Sequence, residues 1–513
     1  MKRTLFFAAA CVVAAACAEE TVLQGDVRVK FRRPEIVPAP KEMTYEAEVP
    51  VRIDTATEFV VACPDAAAAD WVKGKVREWF GADVTVRSSD EAKPGGGEER
   101  YTLAAAPGRI DIAANALKGV KLAMHTLRQV AERESVGITL KRYWLPALKI
   151  SDEPVLAFRG VHFCWFPECT STLIEHQIRL AAYYKFNYAV IENWGVFRSE
   201  KYPFLSVPGA PLTVKEARRL TAVAQDLGIT LIPQVNIYGH AALLRARAGK
   251  HATLDYSPEY QPLFEPGGWN WCLSNPEALK VVRELVVEMH EAFGNPPFFH
   301  IGCDEADPPT CPRCRAVKPY ARLVEAHISA MADILRKRGA RAMMWHDMLL
   351  EKGKWKPFYA HGDADEAKMI DTLPKDIVIC DWYYGDDPGG NRRDGGSVVT
   401  GGYPTLDYFS GKGFSTLTCP WRVPKGISAQ AKYVQDKKLF GILETVWHHY
   451  RGGEFAQMMR VSACSAWGTE CENVARRGGP TATHWRQVGW DMGIKDYLET
   501  GFFDKQVTRD IDM

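Results

Sequence analysis

Several features are missing from this 513-residue chain. It has no excess charge of either sign: Lys plus Arg number 64, Asp plus Glu 63, and the net charge is +1. No bulk field therefore gathers nucleic acid or an acidic membrane surface. Beyond the N-terminus there is no uninterrupted apolar run of ~18 residues, so no membrane span is expected there. Internal repeats and low-complexity tracts are absent too. With 46% hydrophobic and 25% charged residues, the composition is that of a globular protein and excludes a disordered or collagen-like chain. At ~150 residues per domain, the length allows two to four domains, or one large barrel with an appendage.

Residues 1–18 read as an export signal. Lys2 and Arg3 form the basic start, and the apolar run 5–16 is too short to cross a bilayer. Ala16-Cys17-Ala18 fits a small-x-small cleavage site before Glu19. The alternative is a lipoprotein cut before Cys17. Of the 13 cysteines, Cys11 and Cys17 fall in this segment. The rest are odd in number, so at least one free thiol is expected. Cys311 and Cys314 make a CxxC pair, with Cys303 upstream. A local disulfide, a metal site and free thiols all stay open for them, since a structural zinc needs four ligands.

The rhythm along the chain divides it into a leader at 19–35, a non-catalytic α+β domain at 36–150, a larger unit at 151–470 and a tail at 471–513. In the α+β domain, short strands are expected at 51–53, 59–61, 101–103 and 109–112. Helices are expected at 66–80 and 119–132, the latter with Val120, Met124, Leu127 and Val130 on one face. After Asp152-Glu153-Pro154, apolar runs alternate with amphipathic helices. Strands are expected at 160–163, 188–192, 230–234, 298–302, 342–345, 377–381, 415–419 and 441–444. Helices fall at 172–184, 214–227, 276–293, 321–338 and 428–436, with a closing helix at 455–467. Eight such units predict an α/β fold, a (β/α)8 TIM barrel preceded by a small α+β domain. The alternative is an open, doubly wound sheet.

In such barrels the chemistry sits at the C-terminal ends of the strands. The fourth run ends His300-Ile301-Gly302-Cys303-Asp304-Glu305. In a regular strand the two acids would face opposite ways. If the backbone turns at the strand end, both reach one pocket. One carboxyl kept protonated and one kept ionised would serve glycoside hydrolysis. The competing reading is a solvated pair of loop acids. Other strand ends carry Glu192-Asn193-Trp194, Tyr238-Gly239-His240, Trp345-His346-Asp347, Asp381-Trp382-Tyr383-Tyr384, Trp421-Arg422 and Trp447. A Trp at five of eight ends suits stacking on sugar faces. Each alone suits core packing equally well. Arg159, in the first strand, fits bidentate recognition of hydroxyls or a carboxylate. His240, His300, His346, His448 and His449 raise the idea of a metal hydrolase, but neither HxH nor HExxH spacing occurs.

At these residues the sequence resembles glycoside hydrolase family 20, the β-N-acetylhexosaminidases. The likeness runs from about Ile36 to Trp467. It is carried by Ile36-Val37-Pro38-Ala39-Pro40-Lys41, by Asp152-Glu153-Pro154 with Phe158-Arg159-Gly160, by 228–233 with Gly239-His240-Ala241, and above all by 300–305, similar to the family's His-x-Gly-Gly-Asp-Glu. The resemblance implies a retaining, substrate-assisted mechanism, an exception to the two-carboxylate scheme. Glu305 would be the acid and then the base, and Asp304 would hold the substrate's 2-acetamido group. Arg159 would bind sugar hydroxyls, and His240 would support the acid. Trp345, Trp382 and Trp447 would wall the sugar site, and Tyr383 or Tyr384 would supply a hydroxyl to the acetamido group. This chain departs from the family at Cys303, which replaces a glycine, at Gln234 and Asn236, which replace acids, at Glu192-Asn193, and at His449, which replaces a sugar-binding Glu.

The sequence therefore predicts an exported, periplasmic or secreted exo-glycosidase acting on terminal β-linked N-acetylhexosamine of a glycan or oligosaccharide. No cofactor, metal or nucleic-acid partner is expected. Two alternatives remain: a catalytically silent carbohydrate-binding relative, and a glycosidase for a different or modified hexose. The segment after the third strand, 244–271, is rich in Tyr and Trp and is expected to form either a lid or subsite wall, or ordinary surface packing.

Overall fold

The computed structural model describes residues 31–469, apart from 32, 91–93, 137–139, 245–247, 356–357, 386–392, 395–396, 399–401 and 448–451. The export segment, the tail beyond 469, and His448 and His449 lie outside the described residues.

Eight parallel strands close on themselves. In chain order they are Phe158–Trp165, Tyr188–Asn193, Thr230–Gln234, Phe298–His300, Arg341–Trp345, Val378–Asp381, Ser415–Thr418 and Gly441–Glu444. Closure is sealed where Gly441 pairs with Phe158 and Glu444 with Val161. An open sheet is thereby excluded. Helices between the strands bury one face each, as their apolar spacing dictates. Ser171–Tyr183 hides Ile174, Ile178 and Ala181, and Pro276–Ala292 hides Val282, Leu285 and Met289. Gly452–Trp467 closes the ring of helices.

Strand alternation decides what fills the barrel. Phe158, Val190, Ile232, Phe298, Met343, Val378, Leu417 and Leu443 form one apolar cluster inside it. Two residues further along stand Glu192, Gln234, His300, Trp345, Cys380, Cys419 and Thr445, and in the first strand, where Gly160 comes between, His162 stands four residues on. The lower barrel is therefore a packed core, and polarity rises toward the C-terminal mouth.

A sheet built from Glu42–Ile53, Leu140–Asp152, Tyr101–Ala106, Arg109–Ala114, Glu58–Ala62 and Thr85–Ser88, paired in that order, precedes the barrel. The helices Ala68–Phe80 and Leu117–Val130 accompany it. The link to the barrel is polar and buried. Asp152 accepts bonds from the Tyr101 hydroxyl (2.6 Å), Lys185 (3.1 Å) and the Trp467 indole (2.7 Å). Among the described residues, no helix is long and apolar enough to cross a membrane.

Candidate active site

The fourth strand stops at His300, two residues sooner than its hydrophobicity suggests. Gly302, Cys303 and Glu305 all take left-handed backbone, with φ of +68°, +76° and +47°. That turn brings both acids to one place. His240 Nε2 lies 3.3 Å from a carboxylate oxygen of Asp304 and 3.3 Å from one of Glu305. Glycine is required on both sides of this contact. A Cβ on Gly302 would stand 2.2 Å from Asn236 Oδ1, and one on Gly239 would stand 2.4 Å from the Asp304 carbonyl oxygen.

The two acids differ in surroundings. Asp304 is buried, with 8% of its side chain exposed, whereas Glu305 shows 44%. Asn236 Nδ2 donates to Asp304 Oδ1 at 2.6 Å. Burial alone would raise the Asp304 pKa, but the His240 charge and hydrogen bond, aided by Lys250, outweigh it and hold the carboxyl down to about 2. The same interaction seen from His240 opposes its burial and lifts it to about 9. Asp304 is thus the permanently ionised member and Glu305 the accessible one.

Two neighbours fix the Glu305 backbone. Its N–H donates to Asp347 Oδ2 (2.9 Å), and its carbonyl accepts from the Trp269 indole (2.7 Å). Asp347, fully buried, also meets His361 Nδ1 (2.9 Å) and the Trp382 indole (3.3 Å). Tyr359 stacks on Trp382 with centroids 4.2 Å apart, and Tyr384 lies 5.5 Å from Trp382. Deeper in the mouth, Lys250 Nζ pairs with Glu192 Oε1 at 2.8 Å and sits 3.9 Å over Trp194 and 5.3 Å from Trp447. Cationic His240 and Lys250 are thus paired with anionic Asp304 and Glu192.

The structure thus gathers Asp304, Glu305, His240, Trp382, Tyr384 and Trp447 at one rim. Three of the expected residues behave otherwise. Arg159 is not at the mouth. It is the second residue of its strand, so it lies at the opposite end of the barrel, and its parity turns it outward. There Glu99 takes both its terminal nitrogens at 2.6 and 2.9 Å, and the Leu156 and Lys185 carbonyls accept the rest. It is a structural ion pair, and its assignment to sugar binding is corrected. Trp345 is inward-facing but fully buried, packed on His300 and Trp447 with centroids 4.3 and 5.2 Å away. It is a support beneath the floor rather than an open wall. Tyr383, the other candidate for an acetamido hydroxyl, packs outside the barrel against Phe358 and Tyr403. Cys311 and Cys314 carry free thiols, so the local disulfide is not formed.

Sequence reasoning did not single out Lys250, Tyr359 or His361, and it read Asn236 only as a lost acid. Tyr359 and His361 come from an irregular loop with no periodic signal. Lys250 sits in the segment after the third strand, where only the aromatics drew notice. Trp269, in that same segment, reaches the Glu305 backbone and packs on His240 with centroids 4.2 Å apart, so part of the segment is a wall of the site.

A closed parallel barrel with an acid pair at its C-terminal mouth is an arrangement that glycoside hydrolysis can use. Residues 186–412 match glycosyl hydrolase family 20, catalytic domain. A β-hexosaminidase of Porphyromonas gingivalis is 24% identical over 405 residues, covering 69% of this chain and 50% of that protein. A β-N-acetylhexosaminidase of Cellulomonas fimi is 25% identical, covering 52% and 53%. The chain therefore spans about half the length of these curated relatives. Among solved structures, the exo-β-N-acetylglucosaminidase of Vibrio harveyi superposes with a TM-score of 0.63 at 17% identity, covering 92% of this chain and 79% of that one. The Streptomyces plicatus N-acetyl-β-hexosaminidase gives 0.61 at 16%, covering 93% and 98%. The structural likeness speaks for the fold. Over residues 186–412 the chain is thus similar in sequence to the catalytic domain of glycoside hydrolase family 20.

Proposed function

We propose that the protein is an exported, retaining exo-glycosidase that removes terminal β-linked N-acetylhexosamine from glycans with help from the substrate's own amide. The supporting observation is the convergence of Asp304 and Glu305 on His240, one acid buried and ionised, the other open to the mouth. Glu305 gives its proton to the glycosidic oxygen as the bond to C1 breaks. The acetamido carbonyl oxygen attacks C1, forming an oxazolinium ion. Ionised Asp304 accepts the amide N–H and steadies the positive charge. Water then adds at C1, Glu305 takes its proton, and the ring of the intermediate reopens to the acetamide. Trp382 and Trp447 offer π faces to the sugar's CH groups. Export rests on residues 1–18, with Glu19 as the mature N-terminus or Cys17 as a lipidated one.

One observation favours a second reading, a different or modified hexosamine. The Lys250–Glu192 pair, Gln234 and Asn236 give this mouth a polar floor of its own. A panel of 4-nitrophenyl β-glycosides decides between the two. Turnover of the N-acetylglucosaminide or N-acetylgalactosaminide, inhibited by a thiazoline mimic of the oxazolinium, supports the first reading. Hydrolysis confined to sugars lacking the acetamido group, through a covalent enzyme adduct, overturns it. Binding of N-acetylhexosamine without turnover of any glycoside would mark a silent relative. Mass analysis of the mature chain tests the processing site.

A further inference from the structure

We propose that Cys272, Cys311, Cys314 and Glu265 bind one structural zinc ion that clips together the two loops holding Glu305. Their ligand atoms all lie within 4.8 Å of one another, and all four residues are buried. Cys272 Sγ is 3.7 Å from both Cys311 Sγ and Cys314 Sγ. A zinc–sulfur bond of about 2.3 Å in a tetrahedron sets its sulfurs about 3.8 Å apart. The spacing therefore fits tetrahedral thiolate ligation and is far too long for a disulfide.

The fourth ligand carries the argument beyond a thiol cluster. Glu265 Oε2 is fixed by the backbone N–H groups of Thr310 (2.7 Å) and Cys311 (2.6 Å). Its Oε1 is buried and takes no N–H or O–H donor, facing only the Cys314 and Cys311 thiols. Thiols are weak donors, so a buried carboxylate oxygen whose neighbours are three sulfurs is better served by a cation. Two further contacts suit bound thiolates. The Cys314 N–H donates to Cys311 Sγ at 3.3 Å, and the Arg313 guanidinium approaches Cys272 Sγ at 3.8 Å. Such outer contacts orient ligands and stabilise their charge. Soft sulfur donors with one carboxylate favour zinc over magnesium or calcium. With all four positions supplied by protein, the ion would have no open coordination position for catalysis.

Its place in the fold gives it a task. Glu265 and Cys272 flank the turn carrying Trp269 and Asn270. Cys311 and Cys314 follow the acid loop. Between the clip and the acid, Asn270 exchanges bonds with the Asp307 backbone at 2.5 and 3.1 Å, and Trp269 holds the Glu305 carbonyl. The ion would fasten the wall of the site to the loop bearing its acid.

The full-length chain, purified without chelator, should contain one zinc per molecule by elemental mass spectrometry. Cys272→Ser and Cys314→Ser should lose it, Cys63→Ser should keep it, and Glu265→Gln should bind zinc at least ~10-fold more weakly. Cobalt exchanged into the wild-type chain should show the visible bands of tetrahedral thiolate ligation, a readout that needs no variant to fold. Wild-type protein that holds neither metal after incubation with zinc or cobalt would overturn the proposal. So would a Cys311–Cys314 disulfide in the mass map of the isolated chain. None of these readouts depends on which glycoside is cleaved, so the clip and the activity can fail separately.

Discussion

The two ends of the barrel are made from the same strands and behave as opposites. At the N-terminal end, Phe158 stacks on Tyr188 at 4.3 Å and meets Phe298 edge-on at 5.8 Å. Arg159, just outside this plug, has its donors taken by one carboxylate and two carbonyls. A cavity of about 570 Å³ opens there, beside Glu99, Lys118 and Tyr188, between the barrel and the small domain; the acid pair lies at the other end. At the C-terminal end the backbone is strained and several polar atoms are left unsaturated. Gln234 Oε1, Asn236 Oδ1, His300 Nε2 and Trp345 Nε1 have no protein partner. Buried polar atoms are ordinarily satisfied by protein or by water, and the base cavity holds such atoms too, in Arg100 Nε and His125 Nδ1. An Arg or an acid has no fixed meaning in such a fold. Its position along the strand and its parity decide whether it stabilises or reacts.

The largest expected effect tests that contrast directly. Glu305→Gln should lower kcat by roughly 10²–10⁴-fold, the usual worth of a general acid, with little change in thermal stability. Arg159→Met should do the reverse. It leaves Glu99 facing a neutral side chain in a largely buried setting, and losing one partner of a buried pair costs about 3 kcal/mol. Thermal or urea unfolding should show that loss while KM stays put. If Arg159→Met instead raised KM without destabilising the chain, the assignment of the two ends would be wrong.

This pair also shows how far the sequence could be read. The barrel was legible because eight apolar runs alternate with amphipathic helices, and strand ends in a barrel announce the site. Asp304 and Glu305 were legible as neighbours after a strand and a glycine. Arg159 misled because motif position outweighed geometry: it follows Phe158 at the start of a strand, and counting along that strand already places it at the wrong end. Tyr359 and His361 were hidden in a loop whose path no periodicity encodes. Cys272 and Glu265 were hidden for a related reason. A CxxC pair reveals two ligands, while partners 39 and 46 residues away in sequence meet it only after the third and fourth loops pack together.

A smaller effect should appear as pH dependence at the mouth and be absent at the base. His240 is lifted to about 9 by Asp304 and Glu305 against its burial, so it stays charged through neutrality. Its contribution to stability is full below its unfolded pKa of about 6.5 and fades as pH rises through 9. Asp304, depressed to about 2, contributes fully above about 4 and loses its share as pH falls through 2. These are two views of one interaction and do not add. The difference in Tm between wild type and His240→Gln should therefore be flat from about pH 4 to 6.5 and shrink toward pH 9. A difference that grew with rising pH would contradict a charged His240. Arg159→Met should show no such alkaline limb, because no imidazole takes part in that ion pair.

The smallest effect isolates the strain itself. Cys303 holds φ of +76° with its side chain wholly buried, a backbone that costs an L-residue about 1–2 kcal/mol and costs glycine almost nothing. Cys303→Gly removes that strain and gives up a small buried thiol, worth roughly 1 kcal/mol in the other direction. The net should be near zero or slightly stabilising, up to about 1 kcal/mol by urea unfolding. Cys419 provides the control. It is equally buried on the inner face of the seventh strand's end and is not among the residues with positive φ. Cys419→Gly loses the same thiol and gains only chain entropy in the unfolded state, so it should destabilise by about 1–2 kcal/mol. If both variants lost stability equally, the turn that carries Asp304 and Glu305 would be relaxed, and their convergence would owe nothing to stored backbone strain.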